Sequence, residues 1–543
     1  MPRGRILLGA LLIPVSYAPS FVLGSHPGPA GLAALALAFA IALLTAWTFE
    51  RTRLLERFAR PIDRRANLIL AIALIAYVAF STATSLHRLA RFEHAPMIGL
   101  FGQSYWTQLR GFAFANTQES IDGTLGSHFA IHFSPALLIL APFYSLWPKP
   151  VVLVVAQAVV LALAMLPLAA LLRPHAGRGV AALLSIALLL VPIFAFGAAR
   201  DFHDSNFLPA PLLAATLAME RRGWPWFALF AALALGVRED AGLVLAALGV
   251  VALCRGLGWR AALAIAGSGL LWTVAVTRLV MPRFASAGMI TDPQGFFVAM
   301  FGQWGATPLA AIRGILTRPA AVLHALTNRD AVRYVYLVLR PLLVLPPFGD
   351  WAALVALPGL AINLLSRYAF MRAAELPYTL VPSAFLTLAA MRSALRLASG
   401  ESEQRRAGAG LAVALIVLAG TLPSLVLSLP RAEPRLPPRA AADALVRIIP
   451  PDAPIYAPLS LYPRLCNRED FDDWESTGPL ALDAAFRRRY QMIVLWPGGD
   501  APGVVRERTL ADSLAGDPHF VRRPGFEPFI VYQRRALNPA GRN

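Results

Sequence analysis

Three polar stretches interrupt the apolar segments of this chain and carry the side chains that could do chemistry. The longest, residues 86–135, holds a carboxylate, an amide, an indole and an imidazole, namely Glu93, Gln103, Trp106 and His132. The other two are short runs of ionisable residues: Arg200, Asp201, His203 and Asp204 in one, and Arg238, Glu239 and Asp240 in the other. Connections between membrane spans are usually short. The length of 86–135 therefore indicates the wall of a binding site.

The stretch around Asp201 lies directly between two apolar segments. Two carboxylates and an imidazole at a membrane boundary are costly unless they are solvated, paired or functional. One interpretation is a polar floor for an anionic or hydroxylated ligand, with Asp201 and His203 facing it. The other is an interfacial cap, with Asp204 near the N-terminus of the next helix.

The run Arg238-Glu239-Asp240 divides what would otherwise be one apolar stretch, so at least two of its side chains must point into the bundle or toward water. Arg238 could bind a phosphate, because a guanidinium matches phosphate oxygens bidentately. A structural ion pair with a carboxylate is the alternative. Glu93 likewise has two interpretations: a general base toward a hydroxyl acceptor, or a surface carboxylate paired with Arg91.

Metal chemistry is only weakly indicated. His128 and His132 have the i, i+4 spacing that places two rings on one helical face, but no Glu follows the first His as in an HExxH motif. We assign no metal and no cofactor. Phosphate-binding, nucleophile-elbow, paired-cysteine and dinucleotide-binding motifs are also absent from the sequence, so soluble-enzyme chemistry is not indicated.

The composition is typical of a polytopic membrane protein. Of 543 residues, 57% are hydrophobic and 15% are charged. The formal net charge of +18 comes almost entirely from arginine, since Lys149 is the only lysine. These arginines cluster in short loops between apolar runs, as membrane orientation requires, and this argues against nucleic acid as a partner.

The apolar pattern predicts an all-α polytopic membrane bundle of about 13 spans. The candidate spans are 6–24, 30–49, 67–85, 150–172, 179–199, 206–219, 225–237, 240–254, 260–281, 331–346, 351–365, 378–395 and 409–429. Several are shorter than the roughly 20 residues that cross a bilayer upright. Short spans are tolerated when they are buried in protein or line a polar cavity, so their shortness points to a cavity within the bundle.

The arginine distribution predicts the orientation of the chain in the membrane. Arg3 and Arg5 precede the first span, and six arginines lie between residues 51 and 65, which places both segments in the cytoplasm. If 136–147 dips in without crossing, the loops at 173–178, 221–222, 255–260 and 392–406 are also cytoplasmic. The three polar stretches, the segment 282–330 and the C-terminal region then lie outside.

Three domains follow from this pattern. Residues 1–65 form an N-terminal transmembrane hairpin with an Arg-rich cytoplasmic loop, and 66–429 form the main membrane domain with the outer loop 86–135. Residues 430–543 begin with a Pro-rich linker and continue with short β-like runs at 454–460, 491–496 and 529–535. We expect a small extracytoplasmic α/β domain there.

Four ordered motifs carry a family likeness. They are His132-Phe133-Ser134-Pro135 before an apolar segment ending in Tyr144, the corner Asp201-Phe202-His203, the run Arg238-Glu239-Asp240, and Ile362-Asn363-Leu364-Leu365-Ser366 before Tyr378. Together they resemble a bacterial family of predicted membrane proteins, classed as a domain of unknown function. That family is similar to the glycosyltransferase C (GT-C) superfamily, which includes protein mannosyltransferases and the aminoarabinose transferase of lipid A. The likeness covers roughly residues 67–500.

The resemblance implies a GT-C-like bundle that takes sugar from a polyprenyl-phosphate donor, with a catalytic carboxylate in the first outer loop. The family pattern in that loop is similar to Asp-x-Gly-x-Phe-Asp-Gln-x-x-Trp. Gly99, Phe101, Gln103 and Trp106 match it, whereas Met97 and Gly102 occupy the two acidic positions. Either Glu93 substitutes for the missing acid, or the site binds without catalysing. Arg238 replaces the usual lysine of the third motif and keeps its charge.

The leading hypothesis is therefore a membrane glycosyltransferase that acts on an envelope glycan or lipid acceptor. Glu93 or Asp201 is its base, Arg200 and Arg238 hold the donor phosphate, and His132 and His203 orient sugar or acceptor. Gln103, Trp106, Glu239 and Asp240 complete the predicted binding wall. The rivals are an inactive lipid- or glycan-binding protein, and a transporter or flippase, which would need polar access from both sides.

Overall fold

The chain is mostly helical, with a small sheet near its C-terminus. The computed structural model describes residues 3–23, 28–93, 96–120, 124–286, 293–346, 350–397, 402–429, 438–473, 484–497 and 503–535. Residues 430–437 of the predicted Pro-rich linker lie outside them. The helices described before residue 430 are Arg3–Tyr17, Pro29–Arg51, Leu54–Arg64, Ala66–Ala90, Met97–Gln108, Ala141–Leu146, Val151–Leu163, Met165–Leu190, Pro192–Arg200, Pro209–Glu220, Trp224–Leu235, Ala241–Cys254, Trp259–Ala275, Pro293–Phe301, Pro308–Thr317, Pro319–Thr327, Arg329–Leu339, Leu357–Leu365, Leu380–Leu397 and Glu403–Leu427.

Six helical segments among the described residues are long and apolar enough to cross a membrane, or up to seven if one sharply bent pair counts as a span. The six are Gly4–Phe21, Pro29–Arg51, Ala66–Ala90, Val151–Leu190, Trp259–Arg283 and Glu403–Leu427. Other predicted spans are shorter apolar helices, such as Trp224–Leu235 and Ala241–Cys254. The multi-span character is confirmed, and the count of about 13 stays a prediction.

Gly177 separates two of the predicted spans. Its φ of +76° lies in the left-handed region, which glycine adopts without steric cost, and it interrupts the helix Met165–Leu190. The sequence predicts separate spans at 150–172 and 179–199, and this interruption lies between them. Asp63 accepts a hydrogen bond from the Gly179 backbone N–H at 2.8 Å and fixes the Arg-rich helix Leu54–Arg64 against this turn.

Charged loops meet in two separate groups. In the group predicted to be cytoplasmic, Arg405 pairs with Glu56 at 2.9 Å, and Arg392 pairs with Glu220 at 2.8 Å. Asp350 joins the same group and accepts from Arg255 at 2.6 Å. In the group predicted to lie outside, the loops around residues 97, 132, 201 and 238 contact one another. These polar contacts therefore follow the sides that the arginine pattern predicts.

The outer loop is built around the buried helix Met97–Gln108. A two-residue ladder joins β1 (Ala115–Asn116) to β2 (Gly126–Ser127) in antiparallel register. A 3-10 turn, His128–Ala130, and a longer one, Pro135–Leu140, lead into the short helix Ala141–Leu146. Rings pack across this loop: the Phe101 centroid lies 4.9 Å from that of His128 and 4.8 Å from that of Phe202.

The C-terminal region contains a five-stranded mixed sheet. Its strands are β3 (Ile455–Tyr456), β4 (Phe471–Asp472), β5 (Met492–Leu495), β6 (Phe520–Arg523) and β7 (Ile530–Arg534), in the order β4-β3-β5-β7-β6. β3 runs parallel to β4 and β5, whereas β7 is antiparallel to β5 and β6. Four helices accompany it: Arg439–Ile448, Tyr462–Leu465, Ala484–Arg489 and Gly503–Ala515. The three predicted β-like runs coincide with β3, β5 and β7, which confirms a small C-terminal sheet.

Candidate functional site

A cavity of about 840 Å³ opens where the ends of several helices meet. Its polar lining is dominated by basic residues: Arg88, Arg200, His203, Arg333 and Arg340. Asp201 and Glu375 are the acidic side chains of the wall, and the remaining lining is largely apolar, including Val191, Ile193, Leu337 and Val426. Most of these residues lie at or near the helix ends that the arginine pattern predicts to face outward, whereas Leu337 and Arg340 lie within the predicted span 331–346. A basic, partly apolar cavity suits an amphiphilic anion.

Asp201 connects the cavity wall to the outer loop. Its carboxylate accepts hydrogen bonds from the backbone N–H of Ile98 at 2.9 Å, of Met97 at 3.2 Å and of Phe202 at 2.8 Å. It therefore satisfies free donors at the start of the helix Met97–Gln108. Burial raises the pKa of Asp201 to about 6, against the opposing effect of His203 and these donors. Of the two predicted bases, this is the one that lines the cavity.

Glu93 lies in an ion pair beside the cavity. Arg91 Nε contacts its carboxylate at 2.5 Å, and Arg88 Nη1 lies 3.9 Å from the other oxygen. Arg88 also donates to the Glu93 backbone carbonyl at 2.7 Å. The structure thus has the paired arrangement that the sequence analysis gave as the alternative for Glu93. Glu93 contacts Arg88, which lines the cavity, so Glu93 lies directly behind the cavity wall.

Arg238 is the centre of a buried charge cluster. Its guanidinium contacts Asp204 at 3.3 Å and Asp240 at 3.1 Å, and His203 Nδ1 lies 3.7 Å from Asp204. Burial alone would raise the pKa of Asp204, but the Arg238 guanidinium holds the pKa of that carboxyl well below its usual range. Two carboxylates already neutralise Arg238, which is not among the cavity-lining residues. It positions Asp204 beside His203, which does line the cavity.

His132 and Glu239 form a second pair that fastens the outer loop to the same cluster. His132 Nδ1 lies 3.0 Å from Glu239, whose second oxygen accepts from the Phe133 backbone N–H at 3.1 Å. Burial and Arg238 oppose protonation of His132, but Glu239 outweighs both and raises the pKa of the imidazole. The structure brings His132, Arg238, Glu239 and Asp240 together next to the cavity wall, and their predicted contact with substrate stays a prediction.

Gln103 and Trp106 have other surroundings. The Gln103 side chain is fully buried, and its amide donates to the carbonyls of Arg468 and Glu469 at 3.0 and 2.9 Å. Its oxygen accepts from Thr117 and from the Tyr462 hydroxyl at 2.5 Å. The Arg110 guanidinium stacks 3.5 Å above the Trp106 ring. The hydrogen bonds of Gln103 join the outer loop to the C-terminal region, so its predicted contact with substrate has no support in this geometry.

Four charged residues of the cavity lining are not among the side chains predicted for the site: Arg88, Arg333, Arg340 and Glu375. Arg333 and Arg340 are seven residues apart, near the start and in the middle of the predicted span 331–346, and this spacing places them on one helical face. Two arginines on one face of an apolar segment are a signal of an intramembrane function that the sequence did carry. Among the described residues, no group of three His, Cys, Asp or Glu side chains is arranged to hold a metal ion.

Comparison with known proteins identifies a family. No curated protein sequence matches the chain. Two solved structures of ArnT from Cupriavidus metallidurans are similar over 86% of this chain and 97% of theirs, one described as bound to undecaprenyl phosphate and one in the apo state. Their TM-scores are 0.47 and 0.43, at 15% and 14% sequence identity. The family model of the predicted membrane proteins called DUF2079 matches residues 97–497, which is most of the chain. The chain belongs to this DUF2079 family of predicted membrane proteins.

Proposed function

We propose that this protein is a GT-C-like membrane glycosyltransferase that transfers a sugar from a polyprenyl-phosphate donor to an envelope glycan or lipid acceptor. The observation that carries the proposal is the cavity of about 840 Å³, in which arginines from several helices meet apolar side chains. The arginines suit the binding of a phosphate, and the apolar side chains suit contact with a polyprenyl chain. The GT-C-like motifs of the sequence give the same class of donor.

Arg200 is the proposed ligand of the donor phosphate. It ends the helix Pro192–Arg200, lines the cavity, and makes no ion pair with the described carboxylates. A guanidinium that is free of a carboxylate can bind phosphate oxygens bidentately and stabilise the leaving phosphate as charge develops. Arg238 is proposed to act indirectly, because Asp204 and Asp240 already neutralise it.

Asp201 is the proposed base toward the acceptor hydroxyl. It lies on the cavity wall beside His203, and a carboxyl with a pKa raised to about 6 is better matched to general base catalysis near neutral pH than an ordinary one. Three backbone donors hold it in place, which is the kind of rigid support that an acid-base group needs. Glu93 is proposed to support Arg88 at the cavity edge.

The proposed site of action is the outer face of the bacterial inner membrane, with the N-terminus in the cytoplasm and the C-terminal domain outside. The arginine pattern supports this orientation. The polar contacts between the described loops agree with it, because they form one group on the predicted cytoplasmic side and another on the predicted outer side. The C-terminal domain, which is hydrogen-bonded to the outer loop through Gln103, would then lie on the acceptor side.

A catalytically inactive lipid-binding protein is the second candidate. Gly102 favours it, because this position carries an acid in the family-like pattern and here packs against the C-terminal region. A Cβ on Gly102 would lie 2.6 Å from the Cys466 sulfur, so an acidic side chain has no room. A transporter is disfavoured, since most of the residues lining the cavity lie toward one predicted end of the bundle.

The proposal is tested by the envelope of a deletion strain. Mass spectrometry of glycans and glycolipids should detect a missing sugar in the deletion strain, restored by the wild type and by Arg313→Ala. Arg313 is an exposed arginine outside the cavity and serves as the matched control. Arg200→Ala and Asp201→Ala should fail to restore the sugar at equal protein levels. Full restoration by both variants would contradict a glycosyltransferase at this cavity, and lipid binding without any glycan change would favour the inactive protein.

A further inference from the structure

Arg340 is a buried cation at the edge of the cavity. Only 4% of its surface is exposed, yet it belongs to the cavity lining. Its guanidinium donates to two hydroxyls, through Nε to Ser424 at 3.2 Å and through Nη1 to Ser20 at 3.4 Å. The rings of Tyr17 and Tyr336 lie 5.4 and 5.8 Å from its central carbon.

All the partners of Arg340 in the described part of the chain are neutral. No described carboxylate lies within ion-pair distance, whereas the other two arginines buried to a similar degree have carboxylates or several carbonyls around them. Arg392 pairs with Glu220 and Asp350, and Arg468 donates to the carbonyls of Leu465 and Ala453. A buried charge without a counter-ion is unfavourable, because hydroxyls and rings replace only part of its hydration. Because Arg340 lines the cavity, an anionic ligand bound there would supply the missing counter-ion.

The N-terminal hairpin builds this environment. The hydroxyl of Ser20 lies 2.6 Å from that of Tyr336, and Tyr336 in turn donates to the Ser16 carbonyl at 3.0 Å. Tyr17 lies 2.7 Å from the Ser424 hydroxyl that accepts from Arg340. Residues 28–31 line the same cavity at the start of the next helix. These hairpin residues precede the region matched by the family model, which begins at residue 97.

We propose that Arg340, oriented by the N-terminal hairpin, forms an oxyanion subsite of the cavity that binds a phosphate group. If the bound phosphate group belongs to a polyprenyl lipid, the subsite rests on the proposed function. A free phosphate has the same chemistry and would use the same guanidinium. In either form the hairpin is part of the binding site and not only a membrane anchor.

The test uses the full chain in detergent, as wild type, Arg340→Met, Arg340→Lys, Ser20→Ala and the exposed control Arg313→Met. Thermal unfolding is measured without anions, with undecaprenyl phosphate and with inorganic phosphate, and native mass spectrometry gives lipid affinities. Methionine matches the length of the arginine stem and leaves no carboxylate unpaired. Arg340→Met should therefore unfold at the wild-type temperature or above it when no anion is present.

With undecaprenyl phosphate, Arg340→Met should bind at least about tenfold more weakly than the wild type, since a charged hydrogen bond is lost. Arg340→Lys should be intermediate, and Ser20→Ala should lose a few-fold because the charge remains but its orientation loosens. The control should bind like the wild type. A stabilisation by inorganic phosphate that also depends on Arg340 would identify free phosphate as a ligand of the same subsite.

The subsite is wrong if Arg340→Met lowers stability without anions while neither lipid affinity nor phosphate stabilisation changes, since that is the result of a purely structural arginine. The two proposals can fail separately. Loss of lipid binding in Arg200→Ala but not in Arg340→Met would reject only the subsite. Absence of lipid binding in the wild type, with phosphate stabilisation that depends on Arg340, would reject only the lipid donor.

Discussion

Asp204 shows how a single buried carboxylate holds the charged corner of the site together. It is 2% exposed and contacts Arg238 at 3.3 Å, with His203 at 3.7 Å. Asp204 joins two loops of the site, because it precedes the helix Pro209–Glu220 whereas its partner Arg238 follows the helix Trp224–Leu235. Without Arg238, the buried Asp204 carboxylate would keep only His203 within ion-pair distance among the described residues, whereas Arg238 without Asp204 would still pair with Asp240 at 3.1 Å.

We expect Asp204→Asn to lower the free energy of unfolding by about 1.5–3 kcal/mol, because a buried charge-assisted contact is lost while Asp240 still pairs with Arg238. The matched control is Asp443→Asn, whose carboxylate pairs with Arg439 and Arg464 at the surface at 3.5 and 3.4 Å. Surface pairs contribute about 0–1 kcal/mol. Chemical unfolding of both variants in the same detergent measures the difference. Equal losses would contradict the buried role of Asp204.

Glu507 makes the C-terminal region sensitive to pH. It is buried, and burial raises its pKa to about 7, against the hydrogen bond from the Trp496 backbone N–H at 2.7 Å. The folded state therefore keeps a proton that the unfolded state releases at lower pH. Stability from this group is present below the ordinary pKa of about 4.5 and is lost as the pH rises toward 7.

Glu507→Gln should remove that pH dependence and keep an acceptor for the Trp496 N–H. The wild type should lose roughly 1–3 kcal/mol relative to the variant between pH 5 and pH 8. Chemical unfolding at several pH values checks this, with Glu527→Gln at an exposed position as the control. A variant that retains the wild-type slope would exclude Glu507 as its source.

At the scale of elements, the contact between the outer loop and the C-terminal region depends on small residues. A Cβ at Gly99 would lie 2.6 Å from the Tyr462 ring, and one at Gly102 would lie 2.6 Å from the Cys466 sulfur. The helix Met97–Gln108 therefore presents a flat face to the helix Tyr462–Leu465. This packing gives a physical reason for the absence of an acid at position 102.

Gly102→Ala should destabilise the protein by about 1–3 kcal/mol through overpacking, despite the better helix propensity of alanine. Gly267→Ala is the control, because its Cβ would meet nothing within 4 Å in the helix Trp259–Ala275. That variant should be neutral or slightly stabilising. Limited proteolysis and thermal unfolding would report both changes. A neutral Gly102→Ala would show that this contact is loose.

Much of the helical architecture follows from the sequence, because apolar runs and arginine-rich loops are local signals. The interruption at Gly177 and the strands β3, β5 and β7 coincide with features predicted from residue patterns. Contacts between distant segments carry no such signal. Gln103 matches a family-like motif, yet its partners are the carbonyls of Arg468 and Glu469, more than 300 residues later in the chain.

The candidate site could be predicted only in part, because only some of its residues have a local signal in the sequence. Asp201, His203 and Arg200 stand out in sequence because charge is rare beside apolar segments, and all three line the cavity. Arg340 and its partner Ser20 are 320 residues apart, so their contact is not visible in local composition. The pairing of Arg238 with two carboxylates was one of two interpretations that sequence alone left open.

At the scale of the whole molecule, the proposed function requires the cavity to face the outside of the cell. Cysteines introduced one at a time at positions 221 and 313 test this orientation, in a background where the exposed Cys254 is replaced by serine and the buried Cys466 is retained. A membrane-impermeant maleimide should label Arg313→Cys in intact cells and Arg221→Cys only after permeabilisation, because arginine-rich loops stay in the cytoplasm. The reverse pattern would place the cavity on the cytoplasmic side and contradict the proposed topology.

The central claim is that the arginine-lined cavity binds the phosphate of a polyprenyl lipid. Native mass spectrometry of the purified protein with undecaprenyl phosphate tests it most directly, with Arg200→Ala beside Arg313→Ala. Loss of a charge-assisted contact of about 1.5–3 kcal/mol should weaken lipid binding by roughly tenfold or more in Arg200→Ala, while Arg313→Ala binds like the wild type. No binding by the wild type, or equal binding by all three proteins, would contradict the claim.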